Sequence, residues 1–219
     1  RKAGPSAEDA LLRIEHEVEQ LNELISQLLT LSRLNSPHLD PERSDFDLLT
    51  IVEAVVADAD FESQERGCEV RLIGVRPSIV NAVEPLLRSA IENVIRNAIA
   101  HTARGTTVDV EVSQRCDTAE PQAVIAVRDH GPGVREEYLL AIFEPFRRVE
   151  AARDRGSGGV GLGLAIAARA VGIHGGTIRA SNAPNGGLIV EITVPALRHT
   201  GLTCSDTNVD SNSKLTHPG

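Results

Sequence analysis

Two asparagines, Asn93 and Asn97, stand four residues apart in a strongly apolar stretch, residues 83–102. On a helix this spacing places both side chains on one face. Amides in an apolar setting need hydrogen-bond partners, and an asparagine oxygen is also a hard neutral ligand that suits Mg²⁺. The pair therefore indicates either a magnesium site or two core amides that bond neighbouring loops.

The run VRDHGPGV places Asp129, Gly131 and Gly133 directly after an apolar strand pattern. An ionised carboxylate only accepts hydrogen bonds, so at a strand end it favours the exocyclic amine of adenine over the carbonyl of guanine. The glycines beside it would let a planar ligand approach the backbone. The alternative is an ordinary turn in which the aspartate bonds its own loop.

Two of the four phenylalanines, Phe143 and Phe146, begin an arginine-rich run in a chain whose formal net charge is −9. Arginine supplies both charge and a bidentate fork for phosphate groups. The run indicates either a phosphate-facing lid anchored by the two rings or a solvated loop with its own ion pairs. Its arginines are Arg147, Arg148, Arg153 and Arg155.

The glycine-rich run RGSGGVGLGL leads directly into a helical pattern, with Gly159, Gly161 and Gly163 at alternate positions. A flexible backbone before a helix N-terminus offers free N–H groups and the positive end of the helix dipole to a phosphate. The run does not follow a strand and lacks the Lys-Ser/Thr of a P-loop. A linker without a ligand is the alternative interpretation.

Apolar periodicity predicts the elements that must position these residues. Residues 6–34 carry a heptad seam with a broad apolar face, which is typical of a helix in a bundle. Interleaved helices and antiparallel strand pairs then predict a two-layer α/β sandwich with one mixed sheet and helices on one face. The predicted helices are residues 48–65, 83–102 and 161–174, and the predicted strands are residues 68–75, 106–116, 122–129, 176–182 and 186–195.

Composition limits the classes of function. The 219 residues are 41% hydrophobic, which permits a normal core, and the acidic balance argues against binding to a nucleic-acid backbone. No run approaches the length of a membrane span, and nothing is typical of a signal peptide. The absence of an initiator methionine favours a piece of a longer protein.

The order and spacing of the four motifs resemble the catalytic domain of the bacterial sensor histidine kinases of two-component systems. The resemblance covers residues 6–197 and includes ENVIRNAIAHT, VRDHGPGV, IFEPFRRVE, GGVGLGLAI and HGGTIRASN. Within the family, the run EAARDRGSGGVGLGLAIA most resembles the envelope-stress sensors of the CpxA type. The resemblance implies the Bergerat (GHKL) α/β sandwich, with ATP and Mg²⁺ as cofactors.

The resemblance also implies a division of the chain. Residues 1–36 would be the truncated second helix of the dimerisation and phosphotransfer domain, and residues 37–45 a linker. The catalytic ATP-binding domain would span residues 46–197, followed by a disordered polar tail at residues 198–219. The phosphoacceptor histidine would lie on an upstream helix outside this sequence, so we expect ATP binding without efficient autophosphorylation.

Partners follow from the same resemblance. We expect ATP, the phosphoacceptor helix of the same kinase, a cognate response regulator, and a second copy that pairs through residues 7–34. The parent protein would lie at the cytoplasmic face of the bacterial inner membrane, with this fragment soluble and attached only through segments outside the sequence.

For the magnesium end of the site, the resemblance implies that Asn97 binds Mg²⁺ and that Asn93 supports it through a water or a phosphate contact. Glu92 would be a weaker candidate for polarising the attacking group. The sequence departs from the family at Ala100, where many relatives carry a basic residue, so Arg96 or the lid would supply part of that charge.

For the adenine end, the resemblance implies that Asp129 binds the adenine amine and that Gly131 and Gly133 shape the pocket floor. His101 stands where an aromatic residue is common in the family, and it would still stack beside the nucleotide.

For the lid, the resemblance implies that Phe143 and Phe146 anchor its base and that Arg148 reaches the terminal phosphates. Val160 stands where a threonine is usual, which removes one hydroxyl contact. The backbone that would fold over and hold the triphosphate is formed by Gly159, Val160, Gly161, Leu162, Gly163 and Leu164.

Two other functions stay open at this point. The chain could be a nucleotide-binding and dimerisation module without transferase activity as it stands. It could also be another GHKL ATPase or a serine kinase, although the heptad helix and the F-x-x-F spacing disfavour this.

Overall fold

The computed structural model describes residues 7–35, 42–64, 66–116, 120–147 and 160–198. Arg148, Arg153, Arg155, Gly159 and the predicted tail beyond position 198 lie outside the described residues. The helices are α1 (Ala7–Leu34), α2 (Leu48–Gln64), α3 (Glu84–His101) and α4 (Gly163–Ile173). The strands are β1 (Ser44–Asp47), β2 (Glu69–Gly74), β3 (Ile79–Ala82), β4 (Thr107–Arg115), β5 (Gln122–Arg128), β6 (Thr177–Asn182) and β7 (Leu188–Pro195).

Five strands form one mixed sheet in the order β2-β4-β5-β7-β6. β2 runs parallel to β4, and every other neighbouring pair is antiparallel. Helices α2, α3 and α4 cover one face of this sheet, which confirms the predicted two-layer α/β sandwich. Along β4 and β6, the residues that alternate with the core are polar and point to the other face.

The core between the two layers is aliphatic. Along β4, for example, Val108, Val110 and Val112 are buried, because alternate residues of a strand point to the same face. The N-terminal half of α3 places Leu87, Ile91 and other apolar residues against them. Burial of each such side chain contributes about 1.5–3 kcal/mol, so α3 is a rigid base for the polar groups it carries.

A small second sheet was missed by the sequence analysis. β1 pairs with β3 in antiparallel register, so that Ser44, inside the predicted linker, already belongs to the folded unit. Asp47 Oδ1 accepts hydrogen bonds from the backbone N–H groups of Leu49 and Ser78, both at 3.0 Å. This carboxylate joins the start of α2 to the approach to β3.

The last turn of α1 packs on the catalytic unit. Leu34 is buried, and Arg169 of α4 donates from Nε to the Leu34 carbonyl at 3.1 Å. The predicted apolar seam of α1 is 46–59% exposed at Leu11, Ile14, Val18, Leu21, Ile25 and Leu28, and Leu29 beside it is also exposed. Across the part of the chain that the structure describes, no helix is long and apolar enough to cross a membrane.

Candidate functional site

Asp129 lies immediately after β5 with only 3% of its surface exposed. Its Oδ1 accepts hydrogen bonds from the backbone N–H groups of Gly131 at 2.8 Å and Leu188 at 3.1 Å. Within the described residues both of its hydrogen bonds fall on this one oxygen, which leaves Oδ2 as an acceptor for a ligand. Asp129 is therefore an oriented acceptor and not only a turn residue.

Burial raises the pKa of Asp129 above its ordinary value. The two backbone hydrogen bonds and the nearby imidazoles of His101 and His130 act in the opposite direction without cancelling the effect of burial. A desolvated carboxyl interacts strongly with any donor that reaches it, because the local dielectric is low.

The glycines after Asp129 are required by neighbouring protein groups. A Cβ on Gly131 would collide with the carbonyl oxygen of His101. Gly133 has φ +72°, and a Cβ there would lie 2.7 Å from Asn182 Oδ1. The loop from Asp129 to Val134 is thus seated between the end of α3 and the end of β6.

The two asparagines of α3 have different surroundings. Asn93 Nδ2 donates to the Ser89 carbonyl at 2.8 Å, while its Oδ1 faces the start of α4, 2.8 Å from where a Cβ on Gly163 would lie. Asn97 is half-buried, and its side chain makes no hydrogen bond within the described residues. The interpretation as two structural amides therefore fits Asn93 in part and leaves Asn97 unexplained.

Among the described residues, the N-terminus of α4 has no side-chain cap. The helix begins at Gly163, and Leu162 before it provides no side-chain cap. The first N–H groups of a helix have no partner inside the helix, so an anion can bind them. Leu162 and Leu164 place their side chains in the core, which leaves only their backbone groups for a ligand.

At the base of the predicted lid, residues 146 and 161 lie against each other. The backbone N–H of Phe146 donates to the Gly161 carbonyl at 2.9 Å. Gly161 has φ +81°, and a Cβ there would lie 2.8 Å from the Arg147 carbonyl oxygen. Phe143 and Val160 pack partly buried against the core, whereas Phe146 is exposed.

Two predicted residues of α3 lie apart from this arrangement. Glu92 is 3.6 Å from Arg88 and faces α2, and Arg96 pairs with Glu62 of α2 at 3.2 Å. His101 ends α3 close to Asp129, as expected for a residue beside a bound base.

Sequence reasoning missed the residues that fix the Asp129 loop. Thr102 Oγ1 accepts from the His130 backbone N–H at 3.1 Å. Asn182 donates from Nδ2 to the Val134 carbonyl at 2.6 Å and accepts the Val134 N–H at 2.9 Å. Asn182 and Val134 are far apart in the chain, so no local pattern connects them.

The donor set fits a magnesium ion that arrives with a phosphate ligand. Among the described residues, no group of three or more His, Cys, Asp or Glu could hold a metal ion. Mg²⁺ commonly uses one or two protein oxygens and completes its shell with phosphates and water. The unbonded amide of Asn97 can supply one such oxygen.

Comparison with known proteins supports this interpretation of the motifs. Residues 82–198 match the family described as histidine kinase-, DNA gyrase B- and HSP90-like ATPase. The chain is 33% identical over 196 residues to the signal transduction histidine-protein kinase AfsQ2 of Streptomyces coelicolor, covering 87% of this chain and 34% of AfsQ2. It is 35% identical over 204 residues to the sensor histidine kinase CpxA of Escherichia coli, covering 89% and 41%.

These similarities identify the family without singling out the CpxA subgroup, since the two identities differ by little. The chain spans between a third and about two fifths of the length of these curated relatives. The structure of full-length ShkA in complex with AMPPNP has the same fold, with a TM-score of 0.71 at 23% identity over 89% of this chain and 40% of ShkA. The chain therefore belongs to the histidine kinase-, DNA gyrase B- and HSP90-like ATPase family, whose domain spans residues 82–198, and its similar curated relatives are sensor histidine kinases.

Proposed function

We propose that this chain binds ATP with Mg²⁺ and transfers the γ-phosphate to a histidine on another helix of the same kinase, for relay to a response-regulator aspartate. The observation that carries the proposal is the placement of two ligand-binding features on α3. The Asp129 loop contacts the helix at His101, and the uncapped start of α4 contacts it at Asn93. These positions are eight residues apart, or about 12 Å along the helix axis.

The adenine end of the nucleotide belongs at Asp129. Its open Oδ2 accepts from the exocyclic amine of the base, and Gly131 and Gly133 form the floor on which the base lies. His101 closes one side. Guanine presents a carbonyl at the same place, which a carboxylate repels.

The phosphates belong at the start of α4. The backbone N–H groups of residues 161–164 bind phosphate oxygens, and Asn97 supplies its amide oxygen to Mg²⁺ with Asn93 beside it. Mg²⁺ supplies charge neutralisation of the phosphates, which this type of reaction needs more than covalent help. Arg148 and Gly159 remain predictions from the motif, and Glu92 would have to leave its position against α2 to take part.

The partners of the reaction are inferred from α1. Its exposed apolar stripe fits a helix bundle made with a second copy and with the phosphoacceptor helix. In the parent protein we place the unit at the cytoplasmic face of the inner membrane. For a role in envelope stress, the support is the resemblance of the run EAARDRGSGGVGLGLAIA to the CpxA type.

Phosphotransfer is tested by mixing the chain with a separate polypeptide that carries the first helix and its histidine, together with γ-labelled ATP. We expect an acid-labile, base-stable phosphate on that polypeptide. The Asn97→Ala variant should lose it and should lose Mg²⁺-dependent ATP binding, because the variant lacks the amide oxygen proposed as the protein ligand of Mg²⁺. Asn185→Ala, an exposed asparagine in the β6–β7 turn, is the matched control.

Two other outcomes would contradict the transferase assignment. Nucleotide binding without any phosphate on the helix would indicate a binding and dimerisation module. An acid-stable phosphate on serine would indicate a serine kinase of the wider ATPase family.

A further inference from the structure

The β6–β7 hairpin holds both ends of the loop that follows β5. Leu188 donates its backbone N–H to Asp129 Oδ1 at 3.1 Å, at the start of the loop. Asn182 binds Val134, at the end of the loop, through a donor and an acceptor at 2.6 and 2.9 Å. Asn182 and Leu188 are direct partners in the sheet register. One cross-strand pair of the hairpin, Asn182 with Leu188, therefore fixes both ends of the loop.

The same part of the hairpin also determines the path of the loop between its ends. Asn182 Oδ1 lies 2.7 Å from where a Cβ on Gly133 would be, so the amide and the glycine backbone are in close contact. Gly187 packs against the Asp129 carbonyl in the same way. On the opposite side Gly131 contacts the end of α3. The floor of the pocket is thus held between a helix end and one side chain.

We propose that Asn182 is a positioning residue that sets the selectivity of the Asp129 site for adenine. Asn182 acts through Val134 and Gly133. Its amide matches the backbone N–H and C=O of Val134, and neither alanine nor aspartate can do so. The inference rests on the proposed function, in which Asp129 accepts the adenine amine.

Selectivity, more than general affinity, should depend on this contact. Asp129 stays in place without Asn182, because β5 and Leu188 hold it. The floor formed by Gly131 and Gly133 would lose its second anchor, so the base would no longer be held in line with the carboxylate. Discrimination between bases relies on that alignment, whereas phosphate binding at α4 does not.

The test measures dissociation constants for Mg·ADP and Mg·GDP on the full chain by calorimetry, with the melting temperature of each variant recorded without nucleotide. We expect Asn182→Ala to weaken ADP binding about three- to tenfold while GDP binding changes less than twofold. Asn182→Asp should lose at least as much, because its second oxygen faces the Val134 carbonyl. Asn185→Ala, the exposed control in the same hairpin, should keep the wild-type ratio.

Either of two results would overturn the inference. One is an Asn182→Ala protein whose ADP-to-GDP ratio stays within about twofold of wild type. The other is an equal loss of ADP and GDP binding together with a lower melting temperature, which is a general structural effect. The Asp129→Asn variant distinguishes a failure of the adenine assignment from a failure of the role given to Asn182. If it leaves the ratio unchanged in a folded protein, the adenine assignment itself is wrong, and if it alone removes selectivity, only the role of Asn182 is wrong.

Discussion

Asp129 is expected to contribute less to the stability of the protein near neutral pH than in acid. Burial raises its pKa, so the folded state binds a proton more tightly than the unfolded chain does. Its contribution to stability is therefore most favourable below the ordinary aspartate pKa and declines as the pH rises through the raised value. Under the proposed function, a ligand that donates to this carboxylate accounts for its buried position.

The Asp129→Asn variant should lower the selectivity for adenine without lowering the stability of the protein. The amide oxygen can keep the bonds from Gly131 and Leu188 while the charge is removed. We expect a melting temperature at pH 7 equal to or above that of wild type, and a gain that shrinks as the pH is lowered. Selectivity for ADP over GDP should fall by on the order of 10². A lower melting temperature with unchanged selectivity in calorimetry would contradict this assignment.

Two glycine substitutions test whether the close contact at Gly131 matters for stability and for nucleotide binding. In Gly131→Ala the new Cβ meets the His101 carbonyl, so we expect a loss of roughly 1–3 kcal/mol in the free energy of unfolding, together with weaker ADP binding. Gly172→Ala in α4 is the control, because its Cβ has open space. That variant should gain roughly 0.5–1 kcal/mol from helix propensity. Urea unfolding of both variants measures the difference. Equal changes in the free energy of unfolding would show that the contact between Gly131 and the His101 carbonyl does not exclude a side chain.

The sequence predicted which residues would form the site, and the structure shows what surrounds them. The D-x-G-x-G spacing pointed to Asp129 and both glycines, which the structure places in one loop after β5. The glycines were expected to make room for a ligand, and the structure shows that protein groups from α3 and β6 also lie against them. The contact between Asn182 and Val134 joins residues 48 positions apart, which no local spacing encodes.

Among the secondary-structure elements, the C-terminal end of α4 depends on a buried histidine. His174 is 4% exposed, and its Nδ1 donates to the Ala170 carbonyl at 2.7 Å. Its Nε2 accepts the Val83 N–H at 3.0 Å, just before α3 begins. Burial lowers the pKa of His174, with the charge of Arg43 adding to the effect and the bond to Ala170 opposing it. The neutral ring therefore joins α4 to α3.

Protonation of His174 should weaken that connection. Its contribution is fully present above the ordinary histidine pKa of about 6.5 and is lost as the pH falls through the lowered value. We expect the free energy of unfolding to decrease from pH 7.5 towards pH 5, and His174→Gln to flatten that part of the curve. Urea unfolding at several pH values measures both. Identical slopes in wild type and variant would exclude the histidine as the cause.

The long elements could be predicted from the sequence, and the short ones could not. α3 and α4 begin and end within two residues of their predicted bounds because each carries a sustained helical pattern. β1 and β3 have four residues each, too few to show alternation, and they form only because the chain brings them together. Four residues carry too little of a pattern to specify which strand pairs with which.

At the scale of the whole molecule, the exposed stripe of α1 predicts association. Seven large apolar side chains along one helix are 46–59% exposed. Because burial of apolar surface stabilises association, we expect the chain to dimerise and Leu21→Glu to shift it to monomer. Asn22→Glu, at a neighbouring exposed polar position, should leave the dimer intact. Light scattering coupled to size exclusion measures the mass, and a monomeric wild-type chain at high concentration would contradict this expectation.

The central claim, that Asp129, Asn97 and the start of α4 form one ATP site, is tested most directly by unfolding the chain in the presence of nucleotide. With Mg·ATP at 100 times its dissociation constant, we expect the free energy of unfolding to rise by roughly 2.7 kcal/mol. The rise should be lost in Asn97→Ala and retained in Asn185→Ala. A wild-type chain that Mg·ATP does not stabilise at any concentration would contradict the account.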